Sequence, residues 1–282
     1  MKKAIFSIDV EDWFHLDYFD RNECDQSISY LDGLDIYVDL INELSIPSSF
    51  FVLGEIAKTK INYFKNLVNS GHDVGSHGWD HQRPLSMNTS QFRRDLELCS
   101  VTMKEINGVR GYGYRAPCFS LDRERLDIVK ESNFIYDSSK ISFNSHSLYG
   151  SLNVSDFTKI TDSIYQKNNF FEFEVSTHEI LKKNIPISGG GYLRIFPWNL
   201  TKELVRNYLK KNDIYVLYIH PFELSQLPAP NFPSSTTALT KFRFQYGRKK
   251  IKDRLKKLVE LLHSHGYEFT TFSELQNALQ HK

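Results

Sequence analysis

The stretch Ala4-Ile5-Phe6-Ser7-Ile8-Asp9-Val10-Glu11-Asp12-Trp13 decides how the rest of the chain is read. Residues 4–10 are largely apolar and of strand length, and they read as a buried strand. The strand runs straight into three carboxylates within four residues, Asp9, Glu11 and Asp12. Crowded carboxylates repel one another and raise each other's pKa unless a metal ion, an arginine or a lysine compensates. The segment is therefore either a site for a metal or for acid/base chemistry, or a solvated loop.

The strand is followed by an amphipathic helix over 33–44, with Leu34, Tyr37, Ile41 and Leu44 at helical spacing, and the unit then repeats. Residues 48–53 predict a second strand, 55–70 a helix stopped by Gly71, and 72–77 a third strand. Thr89 or Ser90 can cap a helix through Ile106 that places Phe92, Leu96, Met103 and Ile106 on one face. The alternation continues through 111–115, 122–132, 134–136, 170–175, 201–211, 214–219, 249–265 and 268–270. This is the pattern of an α/β protein with a mainly parallel sheet, and so many units without a linker predict one closed or nearly closed barrel. The expectation is a single domain over 1–282, with a Ser/Asn-rich stretch around 138–169 forming irregular loops and hairpins over one face.

Composition narrows the function. With 282 residues, 40% of them hydrophobic and 24% charged, the chain is neither a disulfide-stapled miniature nor globally disordered. Lysine and arginine number 35 against 34 acidic residues, so no global field favours nucleic acid. The basic run 248–257 is the outer face of a helix whose buried stripe is Ile251, Leu255, Leu258, Val259 and Leu262; attraction to anionic lipid headgroups, a peripheral membrane contact, is a lesser alternative. The longest apolar run, 214–219, is far below the roughly 20 residues of a membrane helix. The N-terminus reaches its acidic cluster before a signal segment could be completed, so the expected compartment is the cytoplasm. Cys24, Cys99 and Cys118 form no CxxC pair and read as ordinary thiols.

Three further motifs fall at predicted strand ends, where parallel α/β folds assemble sites. His77 and His81 are four residues apart, and one turn would bring both imidazoles onto one ion; two histidines and a carboxylate leave a divalent metal with open positions for water. Arg115, in Arg115-Ala116-Pro117-Cys118, is placed to orient a carboxylate base. His220 follows the apolar run 214–219 at the same rim.

In this order, Asp9-Val10-Glu11-Asp12, His77 to His81, Arg115-Ala116-Pro117 and His220 resemble the NodB-homology polysaccharide deacetylases, carbohydrate esterase family 4. The segments 136–139, 174–177, 189–194 and 242–244 look like a bacterial branch of that family associated with exopolysaccharide synthesis. The resemblance implies a distorted (β/α) barrel of about seven units that removes N-acetyl groups from amino sugars with one divalent metal, zinc first, with cobalt, nickel or manganese as alternatives. It implies Asp9 as general base, His77 and His81 as metal imidazoles, Arg115 as the residue orienting the base, and His220 as general acid. The family's two adjacent aspartates are replaced here, so the metal carboxylate is Asp12 or Glu11, with Asp12 preferred. Cys118 stands where the family commonly has an aromatic residue whose backbone N–H holds the oxyanion. The acidic partner of Arg115 is open among Asp137, Glu172 and Glu174. Trp13 and Tyr192 are the preferred aromatic platforms for the sugar, ahead of Trp79 and Trp198. The expected partner is an N-acetylated sugar, nucleotide-linked, lipid-linked or polymeric; the alternatives are a small non-sugar amide on the same fold, or a non-catalytic sugar-binding relative.

Overall fold

Strand β1 (Lys3–Val10) has parallel neighbours along both edges and helices or barrel interior on its two faces, which is why so few of its residues are polar. The computed structural model describes residues 2–143, 148–180 and 183–281. After β1 come α1 (Asp32–Glu43), β2 (Ser49–Val52), α2 (Gly54–Thr59), α3 (Ile61–Asn69), β3 (Asp73–Ser76), α4 (Thr89–Asn107), β4 (Gly113–Tyr114), α5 (Arg123–Glu131) and β5 (Tyr136–Asp137). A hairpin of β6 (Thr158–Thr161) and β7 (Ile164–Lys167) leads into β8 (Phe170–Phe173), and a separate hairpin follows, β9 (Thr177–Ile180) with β10 (Lys183–Pro186). The chain continues through α6 (Gly190–Ile195), α7 (Trp198–Leu209), β11 (Ile214–Ile219), α8 (Pro221–Leu224), α9 (Ala238–Gln245), α10 (Ile251–Ser264), β12 (Glu268–Phe269) and α11 (Phe272–Gln280).

Seven strands run parallel in the order β11, β1, β2, β3, β4, β5, β8, and β12 pairs with the first two residues of β1. Between β8 and β11 the ring is closed by a few hydrogen bonds rather than a ladder: Ser176 N–H donates to Val216 O at 3.3 Å, and Tyr218 N–H to Ser188 O at 2.9 Å. The fold is thus the expected distorted (β/α) barrel. The hairpin β6–β7 extends the sheet antiparallel from β8 instead of continuing the ring. It lies in the stretch expected to be irregular; residues 144–147 of that stretch are outside the described residues.

Strand alternation sorts the side chains into two layers. Ala4, Phe6, Ile8 and Val10 face the helices together with Phe50, Val52, Val74, Leu217 and Ile219. Ile5, Phe51, Tyr136, Phe171, Phe173, Val216 and Tyr218 fill the barrel, which Phe272 of α11 closes from below. Gly113 is required in this layer, since a Cβ there would lie 2.0 Å from the Tyr136 ring. Two expectations are adjusted at the helices. The segment 55–70 is broken at Lys60 (φ −128°, ψ 33°) into α2 and α3. The cap of α4 is Asn88, which exchanges reciprocal 2.9 Å hydrogen bonds with Gln91.

Candidate active site

The inward column of each strand, carried one or two residues past its C-terminal end, builds the site. β1 delivers Ser7 and Asp9 and then Glu11; the chain leaving β3 delivers His77, that leaving β4 Arg115, that leaving β5 Ser138, and that leaving β11 His220. Asp9, Glu11, His77, His81 and Arg115 are all buried.

Glu11, His77 and His81 converge, with one ligand atom from each lying within 4.8 Å of the others. Glu11 Oε2 is 2.8 Å from His81 Nε2, and Glu11 Oε1 is 3.4 Å from His220 Nε2. His77 Nδ1 lies 2.9 Å from Arg115 O, and because a carbonyl only accepts, Nδ1 carries the proton and Nε2 keeps its lone pair. Burial and the neighbouring His81 charge push the His77 pKa down to about 3. For His81, burial disfavours the charge, but the Glu11 and Asp17 carboxylates outweigh it and raise the pKa to about 10. Asp17 Oδ2 sits 3.4 Å from His81 Nδ1 and accepts from the Cys118 thiol at 3.0 Å, while Arg83 holds its other oxygen at 3.1 Å. The donor set fits a divalent cation. Two imidazoles and a carboxylate suit zinc and its neighbours, and Glu11 Oε2 is buried without an aligned hydrogen bond.

The preference for Asp12 is corrected here. Its Oδ1 accepts the N–H groups of Trp13 and Tyr30, each at 2.8 Å, so the carboxylate caps a 3-10 turn and joins no ligand group. Alternation explains the difference: Asp9 and Glu11 are two residues apart and share a side of the chain, whereas Asp12 falls on the other. Trp13 is also corrected as a sugar platform. It is wholly buried, donates its indole N–H to Ile28 O at 2.8 Å, and packs among Phe19, Tyr30 and Phe244. Tyr192 remains half-buried beside Phe143 and Phe196.

Arg115 pairs directly with Asp9, NH1 to Oδ1 at 2.7 Å, and NH1 also donates to Ser7 Oγ at 2.8 Å. Its other donors go to Ser138 O at 3.0 Å and Ser138 Oγ at 2.9 Å, and the guanidinium lies 4.1 Å above the Phe51 ring. None of the three acidic candidates reaches it. Asp137 accepts from Ser139 N and Oγ, Glu172 from Lys140 N–H, and Glu174 from Tyr165 and Ser142. Burial drives the Glu172 pKa far up, and the adjacent Asp137 charge adds to it.

His220 has supports that the sequence reading missed. Glu223 Oε2 accepts its backbone N–H at 3.0 Å and lies 3.4 Å from its Nδ1, while Arg194 Nε donates to Glu223 Oε1 at 2.8 Å. Burial opposes the imidazolium, but Glu223 and Glu11 raise the His220 pKa overall. A Cβ on Gly190 would stand 1.9 Å from Glu223 Oε2, so the glycine makes room for this carboxylate. The signal was the three-residue step from His220 to Glu223 on one short helix. Beside His81 a cavity of about 250 Å³ opens, lined by Phe14, His15, Asp17, Arg21 and Asp80.

Comparison with known proteins gives the same frame. The profile of the polysaccharide deacetylase family matches residues 31–136, and a domain of unknown function, DUF3473, matches residues 138–277. A peptidoglycan deacetylase of Helicobacter pylori is 30% identical over 108 residues, 38% of this chain and 36% of its own length, so the match spans about a third of that relative. Two solved structures align along the whole barrel. A Mycobacterium smegmatis protein assigned to the polysaccharide deacetylases has a TM-score of 0.61 at 16% identity, covering 99% of this chain and 90% of that one. The PuuE allantoinase has a TM-score of 0.62 at 14% identity, covering 98% and 89%. The family profile thus places a polysaccharide deacetylase domain, of the NodB-homology type of carbohydrate esterase family 4, in residues 31–136 of this chain, and the barrel as a whole resembles solved members of that fold.

Proposed function

We propose that the chain is a metal-dependent hydrolase that removes N-acetyl groups from amino sugars during the building of a cell-surface polysaccharide. The observation that carries this reading is the convergence at one rim of a carboxylate locked to an arginine, a carboxylate and two imidazoles with one buried unbonded oxygen, and a histidine backed by a carboxylate. Such a set serves hydrolysis of an amide, whose nitrogen leaves only when protonated.

Glu11, His77 and His81 would hold a divalent ion, zinc first among the candidates, which supplies Lewis acidity to the carbonyl and acidifies water. Arg115 holds and aims the Asp9 carboxylate, and Asp9 accepts the proton of the attacking water. The N–H of Cys118, the second residue of a 3-10 turn, donates to the developing oxyanion. His220, whose protonated form Glu223 favours, gives its proton to the departing amine. Tyr192 flanks the sugar. One continuous sheet passes through both halves of the chain, which supports a single working domain. Three unpaired thiols fit the reducing cytoplasm, and no helix among the described residues is long and apolar enough to cross a membrane.

The full-length likeness to an allantoinase favours a second reading, hydrolysis of a small cyclic amide. Zinc-loaded protein is to be assayed for acetate release from N-acetylglucosamine oligomers and lipid-linked N-acetyl sugars, and for hydrolysis of allantoin. Acetate release lost in Asp9→Asn is the expected result; allantoin turnover without acetate release would transfer the assignment to the second reading.

A further inference from the structure

Helix α9 commits almost nothing to the core. Of its eight residues only Phe244 is buried. Leu239 is 56% exposed and Phe242 51%, and Tyr246 just past the helix is 43% exposed. Leu239 and Phe242 stand three residues apart on one helix face, and the rings of Phe242 and Tyr246 lie 4.9 Å apart. The apolar patch is framed by cations: residues 238–252 contain six basic side chains and no acidic one. Arg248 is used internally, on the carbonyls of Phe222 and Ser225. Asp253, the next acidic residue in sequence, is taken by Lys257, and Glu43 by Lys252 and Lys256; Lys241 lies 5.9 Å over the Phe232 ring, and among the described residues no ion pair engages Lys241, Arg243, Lys249 or Lys250.

The patch adjoins the site. Phe244 stacks on Phe222 with ring centroids 4.8 Å apart, and Phe222 lies 5.7 Å from the His220 ring. Arg194, which holds Glu223, also ties down the carbonyls of Arg243 and Tyr246. An exposed aromatic and aliphatic face bordered by unpaired cations is the chemistry of an anionic bilayer surface, where apolar side chains enter the headgroup layer and lysines meet phosphates. Leu239 argues against a glycan strand as the occupant, because it offers no flat face for a sugar ring.

We propose that α9 and the basic turn after it seat this protein on an anionic membrane surface. Taken with the deacetylase reading, on which this extension rests, the docking brings the mouth of the barrel to N-acetyl sugars anchored in that membrane. The docking itself is read without catalysis, so its failure and the failure of the deacetylase reading are separate results.

The test is co-sedimentation with vesicles of phosphatidylglycerol and phosphatidylcholine in equal parts, against vesicles of phosphatidylcholine alone. Expected are binding to the first and not the second, and a loss of at least roughly tenfold in Leu239→Ser/Phe242→Ser and in Lys249→Glu/Lys250→Glu, with unchanged thermal unfolding. Failure to bind the anionic vesicles, or equal binding by both double variants, overturns the proposal. So does retention on an alginate column that is lost in the variants while vesicles are ignored, which would make the face a glycan surface.

Discussion

Glu11 Oε2 lies 2.8 Å from His81 Nε2, and the two atoms share no aligned hydrogen bond. With His81 raised to about 10, a proton occupies this pair near neutrality, and a cation has to displace it. Zinc binding is therefore expected to release a proton and to strengthen by about tenfold per pH unit on the neutral side of that value. Isothermal titration in buffers of different ionisation enthalpy measures the release; an affinity independent of pH would contradict it.

Glu11→Gln, His77→Ala and His81→Ala are each expected to lose stoichiometric zinc. Asp12→Ala is expected to keep it and to cost about 0.5–2 kcal/mol of stability, because two backbone N–H groups lose their cap. Elemental analysis alongside urea unfolding separates the two outcomes, and loss of zinc in Asp12→Ala would restore that residue as a ligand.

Asp9 and Arg115 divide by a different criterion. Asp9→Asn keeps a partner for the guanidinium and is expected to retain metal while slowing turnover by about 10² to 10⁴. Arg115→Met leaves the Asp9 charge buried and unpaired, which costs about 3–5 kcal/mol. A stable, fully folded Arg115→Met would contradict the assigned pairing.

The Glu223 carboxylate helps to raise the His220 pKa, so removing that charge lowers it. Glu223→Gln is expected to move the alkaline limb of the kcat profile on an acetamide substrate to lower pH. Activity falls first at high pH, where the acid is lost, and persists longer at low pH. An unmoved limb with only KM changed would confine Glu223 to holding the loop.

Asp95 provides a stability test away from the reaction. Burial raises its pKa from 3.8 to about 7, against the pull of the Trp79 N–H. The folded protein thus binds a proton that the unfolded chain has released, so this contribution is present below pH 3.8 and is lost as pH climbs to about 7. Asp95→Asn is expected to become more stable relative to the unsubstituted protein across that window, by up to a few kcal/mol at its upper end. Urea unfolding at several pH values checks the trend.

Much of this architecture was legible because strand ends and chemistry coincide. Asp9 lies near the end of β1, His77, Arg115 and His220 each stand just past a strand, and the apolar run 214–219 coincides with β11. The choice between Glu11 and Asp12 was also present in the sequence, in the two-residue alternation of β1 continued past its end. The supports of Arg115 were not legible. Ser7 and Ser138 are separated by most of the barrel's first half in sequence, and serines carry no charge signal. Trp13 misled because an aromatic next to a carboxylate cluster can face either the mouth or the core, and only packing against Phe19, Tyr30 and Phe244 distinguishes these. The division at Lys60 left no glycine or proline to mark it.

Phe272 lies beneath the site: its ring is 5.6 Å from the guanidinium carbon of Arg115 and packs against Phe51 and Tyr136. During synthesis, Asp9 and Arg115 leave the ribosome long before this ring does. Until residues 272–280 have followed, the barrel stays open underneath, and water has access to the ion pair that aims the base. On the deacetylase reading, removal of residues 272–280 is therefore expected to impair the Asp9–Arg115 pair from the side opposite the substrate, with every residue of the rim still present.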